Sequence, residues 1–325
     1  MGVGILNSGD WLSALRQARG KVPGAYRAMY SSWCNGIVTA PELMVLPLDD
    51  HMVHRGDGIF EAARVIDGAI FDLDAHLLRL EHSAERISLK LPWSSALIKE
   101  ICVATVVAST LKEAALRLFV SRGPGSFSPN PYESPQSQLY IVVTDFKPVA
   151  EAKYTNGVRA IISKVPQKPA FFSQIKSCNY LPNVLMKMES VDAGVDFSLG
   201  CDDAGRVLEG ATENLALVDA TGTILVPKFD YTLRGTTLLA TLATLDAAPI
   251  AGVRGVEFAD VDVPQLKAAR EAFMIGTTLE VLPLVEVDGA PIGKGKPGPI
   301  AVELRRRLWI EMKTNSNRRT LVPFS

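Results

Sequence analysis

Residues 175–214 read IKSCNYLPNVLMKMESVDAGVDFSLGCDDAGRVLEGATEN. Lys176 stands just ahead of a segment in which Leu181, Val184, Leu185, Met188 and Val191 recur at helical spacing. That spacing predicts an amphipathic helix with this face buried. Pro182 suits its first turn, and Gly194 suits a stop just past its end. A hairpin pattern follows, with a strand over 195–201, a turn at 202–205 and a second strand from Arg206 that ends at Glu209. Lys176 is thereby expected in the strand or turn that enters a helix, and Glu209 at a strand end.

A lysine at an element junction and a glutamate at a strand end can serve one chemistry. Pyridoxal phosphate needs an amine with which to form a Schiff base, and a carboxylate that keeps its pyridine nitrogen protonated. The two residues alone do not require it, because most lysines ahead of helices are solvated charges and a glutamate can simply cap a turn.

The wording around them is more specific. Ile-Lys-Ser-x-Asn-Tyr-Leu-Pro-Asn from Ile175, and Leu-Glu-Gly-Ala-Thr-Glu-Asn-Leu from Leu208, resemble the class IV (fold type IV) pyridoxal-phosphate enzymes. That family holds branched-chain and D-amino-acid aminotransferases and 4-amino-4-deoxychorismate lyases. The resemblance runs from about Tyr30 to Met312, and YSSW (30–33), DDHMVHRGDG (49–58) and NYLPNVL (179–185) are shared with a plant and bacterial D-amino-acid/branched-chain-like subgroup. It implies an α+β, two-domain, D-amino-acid-aminotransferase-like fold with the cofactor at the domain interface. It also implies a homodimer whose pockets are completed by loops of the neighbouring subunit. On the same resemblance Lys176 is the catalytic Schiff-base lysine, Glu209 the partner of the pyridine nitrogen, and Tyr180 a donor to the phenolic oxygen of the ring.

Size and composition fit this frame. The 325 residues suffice for one large or two smaller domains. Hydrophobic residues make up 47% and charged residues 21%, an ordinary globular composition, and a net charge of −1 gives no reason to expect nucleic acid or an anionic membrane as partner. Cys34, Cys102, Cys178 and Cys201 show no CxxC pair and no metal spacing, which suits reduced thiols in a cytoplasmic protein. The first residues, MGVGILNSGDWLSAL, lack the basic and apolar regions of a signal peptide, and no apolar run approaches the length of a membrane span. The expected divisions are an N-terminal extension over 1–24, with a short helix and a linker through Gly20 and Pro23, and a small domain over 25–146. An interdomain linker over 147–156, a larger domain over 157–312 and a loose tail over 313–325 complete them.

Along the small domain, 30–45 is strand-like and broken by Asn35 and Gly36. HMVHRGDGIFE (51–61) then leads into a strand over 59–66, turned by Asp67 and Gly68 into 69–73. Its two histidines are not on a metal-binding helix, so no metal site is expected. By resemblance this segment, with Phe60, forms part of the substrate pocket. Arg55 stands where branched-chain enzymes carry a tyrosine, and is either a carboxylate ligand or a surface charge. Asp74 is read as an N-cap, followed by Leu77, Leu80, Ala84 and Ile87 at helical intervals. Arg79, in HLLRL, matches the arginine that holds the cofactor phosphate, a role its planar fork suits. After a helix over 95–111 comes a strand over 115–120. Its Arg117 matches an arginine of the acid-binding pocket in branched-chain enzymes, whereas the Arg-x-His pair of bacterial D-amino-acid enzymes is missing from the loop that follows.

In the larger domain, LRGTT (233–237) opens a helix. Gly235, Thr236 and Thr237 at a helix N-terminus offer free N–H groups and hydroxyls that suit a phosphate, although threonine there is usually just a cap; by resemblance the equivalent Gly-Ile-Thr binds the phosphate, with Thr236 here in place of isoleucine. By resemblance the loop Gly276, Thr277 and Thr278 places Thr277 on the phosphate and Thr278 on the substrate carboxylate. A strand over 280–287 and an amphipathic helix over 299–312 end the domain. The expected function is transfer of an amino group between a branched-chain or D-amino acid and a 2-oxo acid. A lyase giving 4-aminobenzoate and pyruvate, suggested by ARVIDG (63–68), and a non-catalytic pyridoxal-phosphate carrier stay open beside it.

Overall fold

The computed structural model describes residues 3–19 and 25–324. The chain forms two compact units, Met1–Phe146 with Arg319–Ser325, and Lys147–Arg318. The predicted linker around Gly20 and Pro23 lies outside the described residues.

The first unit is built on a seven-stranded antiparallel sheet. Its strands run in the order Arg319–Leu321, Ala69–Phe71, Gly58–Ile66, Ala114–Ser121, Gln138–Asp145, Tyr26–Ser31 and Gly36–Val38. Strict alternation decides its faces. Leu116, Leu118 and Val120 are fully buried with Ile59, Ile141 and Val143, on the side covered by the helices Leu73–Arg86 and Ser95–Ser109. Phe60, Arg117, Phe119 and Tyr140 point to the other side, because Phe60 pairs with Phe119 and Phe119 with Tyr140, while Ala62 pairs with Arg117. Asp74 is not the N-cap. It sits in the first turn of Leu73–Arg86 and pairs with Lys99 at 2.8 Å, while the N-cap is Asp72, two residues earlier, with a left-handed backbone. The strand reading of 30–45 also shortens, since Pro41–Leu43 forms a 3-10 turn.

The second unit holds nine strands. Val158–Ile162 lies parallel to both Phe197–Cys201 and Glu280–Val287. Parallel neighbours require a long crossover, and residues 163–196 supply it, carrying Lys176 and the helix Leu181–Asp192. Val207–Gly210 pairs with Phe197–Cys201 on one side and, through Glu209 and Asn214, with Asn214–Val218 on the other. With Glu271–Gly276 and Glu280–Val287 between them, six strands therefore close into a ring. Val158, Leu199, Leu215, Leu217, Met274 and Leu282 fill its core.

Three expectations are corrected here. The helix Leu181–Asp192 forms where the spacing places it, but its apolar face is not buried within the chain. Leu181, Val184, Leu185, Met188 and Val191 are 68, 57, 37, 54 and 63% exposed, and Asn183, Met186 and Ser190 are the residues turned inward. Spacing defines a face but not what covers it. The polar stretch 147–156 is not a free linker, because Glu151–Asn156 is a helix of the second unit with Tyr154 buried and its hydroxyl donating to Leu279 O at 3.1 Å. Arg305 stacks on that ring at 3.3 Å and binds Glu151 and Glu280. The tail is not loose either. The helix Pro299–Thr314 is followed by Arg319–Leu321, which pairs with Ala69–Phe71, and Val322 is buried.

No helix among the described residues is long and apolar enough to cross a membrane. The helix Pro299–Thr314 starts against a buried carboxylate: Glu271 accepts from the N–H groups of Ile300 and Ala301 at 3.1 and 3.0 Å. Those donors have no partner inside the helix. Glu271→Ala should therefore lower the stability of the protein by about 2 kcal/mol, read from denaturant unfolding. An unchanged midpoint would show that water replaces the carboxylate without cost.

Candidate active site

Lys176 is half-buried in the crossover, fixed by its buried neighbours Ile175 and Ser177. Tyr180 stands at the N-cap of the helix that follows. One turn on, the amide of Asn183 donates to Ala211 O at 2.5 Å, which ties this helix to the turn after Glu209. Lys168, Lys176, Tyr180, Asn183 and Glu209 thus wall one cleft of the second unit.

Glu209 accepts from Leu233 N–H at 3.0 Å and faces the Asn214 amide at 3.5 Å, and that amide also donates to Leu233 O at 2.8 Å. Burial pushes the Glu209 carboxyl up to about 7. The Leu233 N–H and the charges of Lys168 and Lys176 work against the rise, and Glu213 adds to it. Two residues beyond Leu233, Gly235 caps the helix Thr236–Ala247, and a Cβ there would fall 1.8 Å from Asn214 Oδ1. Only glycine fits. Thr236 and Thr237 are buried at this helix start, and Thr237 Oγ1 lies 3.1 Å from Thr277 Oγ1, so the two hydroxyl-bearing loops meet. Thr278 is exposed at the end of its loop.

The remaining candidates belong to the first unit. Arg79 donates through Nε and one terminal nitrogen to the two oxygens of fully buried Glu61, each at 2.7 Å. His76 Nδ1 approaches the same carboxylate at 2.7 Å. Burial alone would raise the Glu61 carboxyl, but the Arg79 charge and these hydrogen bonds hold it well below the usual range. One edge of the fork expected for a phosphate is therefore held by Glu61. Phe60 stacks on Phe119 with centroids 5.9 Å apart, and Arg117 is exposed on the same sheet face. Arg55 is exposed too, and its guanidinium donates to the carbonyls of His54 and Phe127. Among the described residues, no three potential metal ligands gather. Lys168, Asn183 and Asn214 went unnoticed in the sequence reading. Asn214 and Asn183 lie inside the quoted motifs, and Lys168 lies in none.

Comparison with known proteins gives the family of the chain. The family model of amino-transferase class IV matches residues 58–287. This chain belongs to the class IV aminotransferases. It is 38% identical over 327 aligned residues to a chloroplastic D-amino-acid transaminase of Arabidopsis thaliana, covering 99% of this chain and 86% of the relative. It is 29% identical to a D-alanine aminotransferase of Bacillus licheniformis, covering 84% and 94% of the two chains. Among solved structures, a T.th. branched-chain amino acid aminotransferase with pyridoxamine 5'-phosphate superposes with a TM-score of 0.86 at 26% identity, covering 93% of this chain and all of that one.

The residues of the cleft fit the cofactor of this enzyme family. Among the described residues, Glu209 is a half-buried carboxylate without a close ion-pair partner, which suits a ring nitrogen that brings a proton. The folded chain holds the Glu209 proton up to about pH 7, whereas an ordinary glutamate releases it near 4.5. The native state therefore binds more protons than the unfolded chain in that window, and it loses stability as pH rises through it. Glu209→Gln cannot ionise, so the cofactor-free variant should gain ~1–3 kcal/mol relative to wild type between pH 5 and pH 8. Denaturant unfolding at both pH values measures this, and an equal difference at the two would contradict the raised Glu209 carboxyl.

Proposed function

We propose that this aminotransferase acts on D-amino acids or branched-chain amino acids with a 2-oxo acid as acceptor, using Lys176, Tyr180 and Glu209 in the cleft of the second unit. Pyridoxal phosphate, when bound, supplies the electron sink that lets the substrate's α-hydrogen leave as a proton. Lys176 would hold the cofactor through its amine and would carry that proton as general acid and base. Glu209 keeps a proton on the pyridine nitrogen, and Tyr180 donates to the phenolic oxygen. Gly235, Thr236, Thr237 and Thr277 offer N–H and hydroxyl donors for the phosphate, with Arg79 as its cation. The observation that carries this reading is the shared cleft of a half-buried lysine and a half-buried carboxylate.

For the substrate we assign Arg117 to a carboxylate, with Arg55 second and Phe60 and Thr278 as further contacts. The exposed guanidinium of Arg117 on a face shared with Phe60 and Phe119 supports it, because a carboxylate taken from water needs a cationic or N–H partner. We also propose a homodimer. The exposed apolar face of Leu181–Asp192, with exposed Phe171 and Phe172 just before it, is the kind of surface a second copy covers.

A coupled assay over D- and L-amino acids with 2-oxoglutarate or pyruvate tests the activity. It should give amino transfer, and Arg117→Leu should raise the Michaelis constant of 2-oxoglutarate roughly 10–100-fold. Release of pyruvate from 4-amino-4-deoxychorismate without amino transfer would make the enzyme a lyase, and bound cofactor without any turnover would make it a carrier. Light scattering tests the assembly. The double variant Val184→Glu, Met188→Glu should elute as a folded monomer, and a wild-type protein already monomeric at micromolar concentration would rule the dimer out.

A further inference from the structure

The cleft holds a second amine that the reaction does not use. Lys168 lies in the crossover, eight residues ahead of Lys176, between Gln167 and Pro169. Its surroundings are unlike those of a surface lysine. The side chain of Gln167 fills a slot over the strand Phe197–Cys201, where a Cβ on Gly200 would meet Gln167 Cδ at 2.3 Å. Gln167 also reaches Met186 Sδ at 3.8 Å. Pro166 and Pro169 fix the backbone on either side. With Gln167 seated on the sheet, Lys168 extends into the cleft, and its Nζ lies 5.1 Å from the centroid of the Tyr180 ring.

The charged groups that act on Glu209 are Lys168, Lys176 and Glu213, the first two favouring its carboxylate form and the third opposing it. Arg234, on the neighbouring loop, is turned over Phe229 at 5.9 Å. Lys176 is committed to the cofactor. We propose that Lys168 is a positioning residue, the standing cation that keeps Glu209 a carboxylate ready for the pyridine nitrogen and holds the ring of Tyr180 in line beside it. Burial lowers the pKa of Lys168 while the charge of Glu209 raises it, so each group supports the charged form of the other. The ionisation half of this inference stands on the cofactor-free protein. The cofactor half rests on the reading of Glu209 given above.

The test uses Lys168→Met and Lys168→Arg. In the cofactor-free protein, carbon-13 NMR of the glutamate carboxylates, with the Glu209 signal assigned by its loss in Glu209→Gln, follows the ionisation of Glu209. In Lys168→Met its midpoint should rise by about one pH unit, a tenfold change in the ionisation constant, and Lys168→Arg should stay near wild type. Pyridoxal phosphate affinity should then fall about tenfold relative to wild type at pH 6. At pH 9 the deficit should close, because Glu209 is ionised there without help. A merely structural lysine would weaken binding equally at both pH values. A Glu209 midpoint unmoved in Lys168→Met overturns the inference. A moved midpoint with unchanged cofactor affinity upholds the pairing and counts instead against Glu209 as the partner of the pyridine nitrogen.

Discussion

The pairing of Glu209 with Asn214 closes the ring of six strands in the second unit, and the chemistry of the chain depends on that seam. A carboxylate at a strand end would ordinarily face water. Here the strand that follows folds back beside it, the Leu233 N–H caps one oxygen, and the Asn214 amide bridges Glu209 to Leu233. Asn214 also sets the distance to Gly235, so the groups assigned to the two ends of the cofactor share one anchor. The crossover reaches the same place because two parallel strands need a long connection between them, and Lys176 lies on it.

Two glutamates, one fully buried and one half-buried, show what this does. Glu61 is fully buried and held by Arg79 and His76, and its carboxyl is driven low. Among the described residues, Glu209 has the Leu233 N–H, a long contact from the Asn214 amide and two lysines without a close ion pair, and burial drives its carboxyl up. A carboxylate with its partners in place is structural, whereas one whose compensation is incomplete is prepared for a partner that arrives. This contrast separates the residue that orients Arg79 from the residue proposed to meet the cofactor.

Much of this was legible in the sequence because it is local. The strand end at Glu209, the helix after Lys176, the glycine and threonines at 235–237 and the turn at 276–278 are each set by a few neighbouring residues. What was not legible depends on distant partners. The amphipathic spacing of Leu181, Val184 and Met188 is real, yet a second surface must cover it, and spacing cannot name that surface. Arg319–Leu321 is too short to read as a strand until Ala69–Phe71 is beside it. Tyr154 is one aromatic residue in a polar stretch, and only Leu279 and Arg305 reveal its burial. Lys168 belongs to no motif, and its place in the cleft follows from how Gln167 packs on Gly200.

Two amines therefore face one cleft, and we propose that Lys176, not Lys168, carries the cofactor. Borohydride reduction of the protein saturated with pyridoxal phosphate, followed by proteolysis and mass mapping, decides between them. The account predicts a single modified peptide with the cofactor on Lys176 and none on Lys168. Label on Lys168 or on a lysine outside the cleft, or a protein that binds no cofactor to fix, would contradict it.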